Sequence, residues 1–163
     1  MMQAVVIDTN VLTVANGKSD HAGRDCFLNC IKALERAQKK QMIIIDSGMR
    51  IINEYQRYSS RAGQPGIGDA FFKWLFYNQC NSLRCKQVDI TPLKDDADNF
   101  EEFPSDPELI RFDRSDRKFV AVAVTSRLNP TILNATDTDW WYFREILERH
   151  KISIVFLCPE LMA

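Results

Sequence analysis

Short apolar runs that stop at a polar or acidic residue recur along the chain. Met1 to Ile7 is such a run, and its core, Ala4-Val5-Val6-Ile7, stops at Asp8. Met42-Ile43-Ile44-Ile45 stops at Asp46, and Thr131-Ile132-Leu133 stops at Asn134. Runs apolar on both faces predict buried parallel strands. Cys85 to Ile90, ahead of Thr91-Pro92, and Ile152 to Leu157 predict two more. Between the strands the period changes. Cys26, Phe27, Cys30, Ile31 and Leu34 recur at three- and four-residue steps, with Glu35, Arg36, Lys39 and Lys40 largely off that stripe. That pattern predicts a helix from Asp20 to Lys39. Ser47 is placed to cap a helix carrying Met49, Ile52, Glu54 and Tyr55. Asp69 opens a helix rich in Phe71, Phe72, Trp74, Leu75, Phe76 and Tyr77. Ser115 caps a helix from Asp116 to Arg127, and Trp140 to His150 is the last. Ala62 to Gly68 is the clearest loop, and Asp95 to Pro107 reads as an acidic, Pro-punctuated irregular stretch.

The predicted order is β-α-β-α-α-β-α-β-α-β. Strands alternating with helices imply a three-layer α/β/α domain with a mostly parallel sheet. No repeat or long linker divides the 163 residues, so residues 1–163 read as one domain. An apolar fraction of 45% and a charged fraction of 26% fit a globular protein. The net charge of −1 gives no strong basic field for nucleic acid. The five cysteines are an odd number in a chain large enough to need no disulfide framework, so reduced thiols are expected. Their spacings are not those of a zinc site. No leader pattern or membrane span is evident, which makes the cytoplasm the expected compartment.

Where the apolar runs stop, acids collect. Asp8 ends the first strand, Glu54 lies in the helix after the second, and Asp116 lies at the start of a later helix. Asp137 and Asp139 follow the strand Thr131 to Asn134. In open α/β sheets the C-terminal edge of the strands is where ligands bind. Each acid alone has an ordinary reading as a helix cap, a dipole partner or a solvated loop residue. Together they repel unless a cation intervenes, and hard oxygen donors without His or Cys suit Mg²⁺ or Mn²⁺.

The chain resembles the PIN-domain family. The matching parts are Val5-Val6-Ile7-Asp8-Thr9-Asn10-Val11-Leu12, then Glu54, then Ser115-Asp116-Arg117-Lys118-Phe119-Val120-Ala121-Val122-Ala123, then Thr136-Asp137-Thr138-Asp139-Trp140. They run in order over essentially the whole chain. The resemblance implies a Mg²⁺- or Mn²⁺-dependent endoribonuclease, often the toxin of a toxin–antitoxin pair. Its acidic positions match Asp8, Glu54, Asp116 and Asp137, with Asp139 as an additional acid and Asn10 and Thr136 as polar accessories. The segment between Glu54 and Asp116 is longer than a minimal PIN domain needs, and two tryptophans, Trp140 and Trp141, follow the last acids.

Several readings of the substrate and the partners stay open. Arg50, Arg57, Arg61, Arg114, Arg117 and Lys118 are candidate phosphate contacts for an RNA substrate. The helix from Asp69 to Gln79 carries aromatics that cannot all face one side, so burial on one face and a homodimer or antitoxin contact on the other are expected. His21 and His150 have no local acid–base partner and read as surface residues. A haloacid-dehalogenase-type hydrolase would need an acid at Asn10. A receiver domain would need a Lys on the last strand, and Ile152 to Leu157 has none. The rival of another class is a PIN-like module that binds RNA or protein with weak or no cleavage.

Overall fold

The computed structural model describes residues 2–162. β1 (Ala4–Ile7) is followed by helices α1 (Thr9–Ala15) and α2 (Arg24–Lys40), then β2 (Met42–Asp46), α3 (Arg50–Tyr58) and α4 (Ile67–Asn78). β3 (Cys85–Val88) leads to a small hairpin, β4 (Pro92–Leu93) and β5 (Asp96–Phe100). α5 (Arg117–Ser126), β6 (Thr131–Asn134), α6 (Thr138–Tyr142), α7 (Arg144–Arg149) and β7 (Ser153–Phe156) complete the order.

Five strands make one parallel sheet in the order β3-β2-β1-β6-β7, flanked by helices as a three-layer α/β/α fold. β1 lies at the centre, where Val5 pairs with both Ile43 and Thr131. The chain builds outward from β1 to β2 and β3, then returns to the other side for β6 and β7. The strand order therefore reverses between β1 and β6, and a crevice must open beyond their C-terminal ends. Val5, Val6, Ile7, Ile43, Ile44, Ile45 and Ile132 are fully buried, which explains why their runs do not alternate. α5 packs on β1, β2, β3 and β6; α1, α2 and α4 pack on one another.

Four local expectations are corrected. Thr9–Ala15 is a helix absent from the predicted order: Asp8, in extended backbone, turns β1 directly into it. It is only seven residues long and follows the strand without a loop, so no extended stripe at three- and four-residue steps develops. Asp46, not Ser47, holds the start of α3: its carboxylate accepts from the amides of Arg50 (3.0 Å) and Ile51 (2.9 Å), while Ser47 donates to Asp89. The stretch from Asp95 is not wholly irregular: it contains β5, which pairs antiparallel with β4 just before it. The last predicted helix is broken at Phe143, whose ring turns edge-on to Phe112 at 5.6 Å between centroids.

The helix of aromatics begins at Ile67 rather than Asp69 and divides as its spacing requires. Phe71, Phe72 and Leu75 are buried, Trp74 and Phe76 half-buried, and Tyr77 exposed. Asp69 lies buried in its first turn, accepting from the amides of Ser60 (2.7 Å) and Gly66 (2.9 Å). Gly68 permits the close crossing of α1: a Cβ there would sit 2.3 Å from the Leu12 carbonyl oxygen.

The cysteine expectation is also corrected. Cys26, on α2, and Cys158, just after β7, form a disulfide across 132 residues, with their Cα atoms 5.1 Å apart. Cys30, Cys80 and Cys85 remain free thiols. The count and spacing could not show this pair, because only the packing of the last strand brings Cys158 to α2. The pairing also removes the reduced-thiol argument for the cytoplasm. Among the described residues, no helix is long and apolar enough to cross a membrane.

Candidate metal centre

The crevice is built by lacing two strand ends together. The Asp8 amide donates to the Leu133 carbonyl at 3.0 Å, which continues the β1–β6 pairing to its last residue. The Asn134 side-chain amide donates to Asp8 Oδ2 at 2.7 Å, and Asn10 Oδ1 accepts from the Ala135 amide at 3.1 Å. Asn134 is completely buried and was not singled out from the sequence. Its signal was present, since it ends β6 as Asp8 ends β1. Asn10, one of the polar accessories, ties the two strand ends through this bond.

Two turns bring the other acids in. Asn134 Oδ1 accepts from the Asp137 amide at 3.1 Å, and Asp137 Oδ1 accepts from the Asp139 amide at 2.9 Å, capping α6. Asp113 caps the 3₁₀ turn Arg114–Asp116 by accepting from the Ser115 amide at 2.9 Å. That turn, rather than a Ser115 cap, leads into α5. The two turns are joined by Asp139, whose Oδ2 accepts from the Asp113 amide at 3.0 Å. Asp139 is thus a brace between turns and not a member of the carboxylate group it was expected to join. Half-buried Thr136 lies in the turn beside Asp137.

Asp8, Asp116 and Asp137 each present a carboxylate oxygen, and the three lie within 4.8 Å of one another. Asp8 is 3% and Asp116 7% exposed. Two full charges at such a distance repel by about 3–4 kcal/mol at an effective dielectric of about 20. That exceeds the worth of an ordinary hydrogen bond, about 1 kcal/mol, so a proton or a cation must relieve it. Accordingly the Asp8 and Asp116 carboxyls are held well above the usual carboxylate range. Burial is the largest cause for both; Asp137 and Glu54 add to it at Asp8, and Asp8 and Asp137 at Asp116. Burial raises Asp137 and Asp139 as well, against the hydrogen bonds that their oxygens accept.

The donor set fits a hard divalent ion. Asp116 Oδ2 is buried with no hydrogen-bond partner, which leaves an acceptor free for a cation. Ligand oxygens around an octahedral Mg²⁺ stand about 3–4 Å apart, from metal–oxygen distances of about 2.0–2.1 Å.

Glu54 stands beside this group rather than in it. Its Oε1 accepts from Lys118 Nζ at 2.7 Å and its Oε2 from the Thr9 hydroxyl. Lys118 also donates to the Ser115 carbonyl. Two of the predicted phosphate contacts are therefore corrected. Lys118 is buried against Glu54, and Arg117 is buried with its guanidinium bonded to the carbonyls of Leu109, Ile110 and Phe112. Arg50 lies 3.8 Å from Asp46, Arg61 sits over Phe76, and Arg114 pairs with Asp96. Arg57 is exposed in a groove with Lys18, Ser59 and Ser60. Thr13 and Tyr58 line both this groove and the acid cleft, so the two are neighbours. His150, read as unpartnered, lies 2.7 Å from Asp106.

Comparison with protein-family models, with curated proteins and with solved structures finds no match.

Proposed function

We propose that the protein is a divalent-metal-dependent endoribonuclease, the activity that the PIN-domain resemblance implies. The observation that carries this reading is the triad of buried Asp8 and Asp116 with half-buried Asp137, gathered at the topological switch point with one carboxylate oxygen left unbonded. A Mg²⁺ or Mn²⁺ ion held there would supply a water of lowered pKa and offset charge on the scissile phosphate. The chain's own residues prepare the place. Asn134 fixes the Asp8 carboxylate, and Asp139 and Asp113 fix the turns that carry Asp137 and Asp116. The groove past Thr13 and Tyr58 offers Arg57 and Lys18 to the phosphates of a single strand, with exposed Tyr58 as a surface for a base. In a toxin–antitoxin setting, a partner protein would silence the enzyme by covering this cleft.

A labelled RNA oligonucleotide tests the reading. Cleavage should require Mg²⁺ or Mn²⁺ and leave 5′-phosphate and 3′-hydroxyl ends, with a 2′-deoxy residue tolerated at the cut. Asp8→Asn and Asp116→Asn should each lower the rate by at least about 100-fold. Equal activity in EDTA, or a 2′,3′-cyclic phosphate product, would sink it.

The reading of a binding module has one observation in its favour: Arg117 and Lys118 are committed inside the protein, which thins the positive charge available to RNA. RNA binding that persists in EDTA, without cleavage under any metal, would select it.

A further inference from the structure

Glu54 and Lys118 form a second charged group at the rim of the triad, and their partners define its task. Both Glu54 oxygens are engaged, one by the Lys118 ammonium at 2.7 Å and one by the Thr9 hydroxyl. The Lys118 and Glu54 side chains are each only 11% exposed. Three independent elements converge here: Thr9 opens α1 immediately after Asp8, Glu54 lies on α3, and Lys118 lies on α5 two residues after Asp116. The ammonium is further anchored by the Ser115 carbonyl, which fixes it in the turn that carries Asp116. A carboxylate with both oxygens occupied and its charge neutralised is a poor metal ligand. Releasing it for a metal would leave a lysine ammonium without its buried counter-charge, a costly exchange.

We infer that Lys118 is a built-in cation that takes the place of a second metal ion: the centre holds one divalent ion on Asp8, Asp116 and Asp137, and Glu54 is the bracket for the Lys118 ammonium rather than a ligand. This rests on the metal reading above and deepens it. The ion pair with Lys118 offsets the charge of Glu54 within the protein, so the carboxylates left without a counter-charge are those of the triad. The ammonium is held to the Ser115 carbonyl, one residue from Asp116, so its charge lies beside the triad although it does not join it.

The test is the number of Mn²⁺ ions bound by the full chain, measured by equilibrium dialysis with paramagnetic resonance of the free ion. The wild type should bind one ion. Glu54→Gln should still bind one, with affinity changed less than about 10-fold, whereas Asp116→Asn should lose about 10–100-fold or more. Lys118→Met should release Glu54 and admit a second ion. Should Lys118→Met not fold, the double variant Glu54→Gln/Lys118→Met removes both charges together and should bind one ion. Two ions on the wild type would overturn the inference while leaving the metal reading intact. So would a loss in Glu54→Gln equal to that in Asp116→Asn, or a folded Lys118→Met that binds one ion at unchanged affinity. No Mn²⁺ bound by the wild type would overturn both.

Discussion

Asp116 has a buried carboxylate oxygen with nothing to bond to, and Asp8 shares its crevice. An ionised group so placed is unfavourable in the metal-free fold, and pH should expose the cost. Both carboxyls titrate above their ordinary value of 3.8 in the folded protein. Across the interval above that value, the folded state holds protons that the unfolded chain has released, so unfolding free energy must fall as pH rises. In EDTA, the melting temperature should therefore decline from about pH 5 to about pH 8. Asp8→Asn should flatten that slope, because it removes one titrating group and one repulsion. Mg²⁺ should restore stability at the alkaline end by binding the folded form alone. A wild type whose metal-free melting temperature rises over this interval, with Asp8→Asn the same, would refute the electrostatic account of the triad.

At the scale of elements, the long segment between β3 and α5 has a structural task that its composition did not suggest. Phe112 lies at the centre of an aromatic cluster, stacked on Phe103 at 5.8 Å and edge-on to Trp140 at 5.0 Å. Trp140, next to Asp139, is completely buried. The cluster thus presses the turn before α5 against the turn before α6, the two turns that deliver Asp116 and Asp137. Arg117 locks the arrangement, its guanidinium bonded to three backbone carbonyls and lying 4.7 Å from the centre of the Phe103 ring. Arg117→Met keeps the aliphatic stem but leaves those carbonyls unbonded, and should cost about 2–4 kcal/mol in denaturant unfolding. It should also weaken Mn²⁺ binding, since Asp116 loses its support. A variant as stable as the wild type with unchanged binding would show that the segment does not hold the site.

For the whole molecule, the tie between Cys26 and Cys158 fastens the chain beyond β7 to α2, over a separation of 132 residues. Loop-closure entropy for so long a span predicts about 4–5 kcal/mol of stabilisation. Guanidinium unfolding with and without reductant should differ by an amount of that order, and Cys158→Ser should reproduce the reduced curve and be insensitive to reductant. Identical curves would show that the bond contributes nothing to the fold. Buried Cys30 lies within 4.8 Å of both partners, and burial pushes its thiol up to about 12. Few of its molecules are thiolate at neutral pH, so Cys30 should exchange slowly with the neighbouring bond.

Period and punctuation were enough for the sheet's strands, the longer helices and the α/β class. Those features depend on local spacing: an unbroken apolar run of four or five residues has few other homes, and a stripe at three- and four-residue steps fits only a helix. The sequence also marked Asp8, Asp116 and Asp137 as acids bound for one sheet edge. What it could not divide was the set of acids. Glu54 and Asp139 share the residue type and the rough position of the other three. They leave the triad because Lys118 and Thr9 claim the one, and the Asp113 amide the other. Arg117 and Lys118 read as surface cations for the same reason: their burial depends on carbonyls and a carboxylate brought by other segments. Asn134, silent as a strand end, and Cys158, 132 residues from its partner, gain their roles only when β6 lies beside β1 and the last strand reaches α2. Local sequence fixes which groups approach the edge; which of them stay uncompensated there is a property of long-range pairing, and that alone decides where like charges must be relieved.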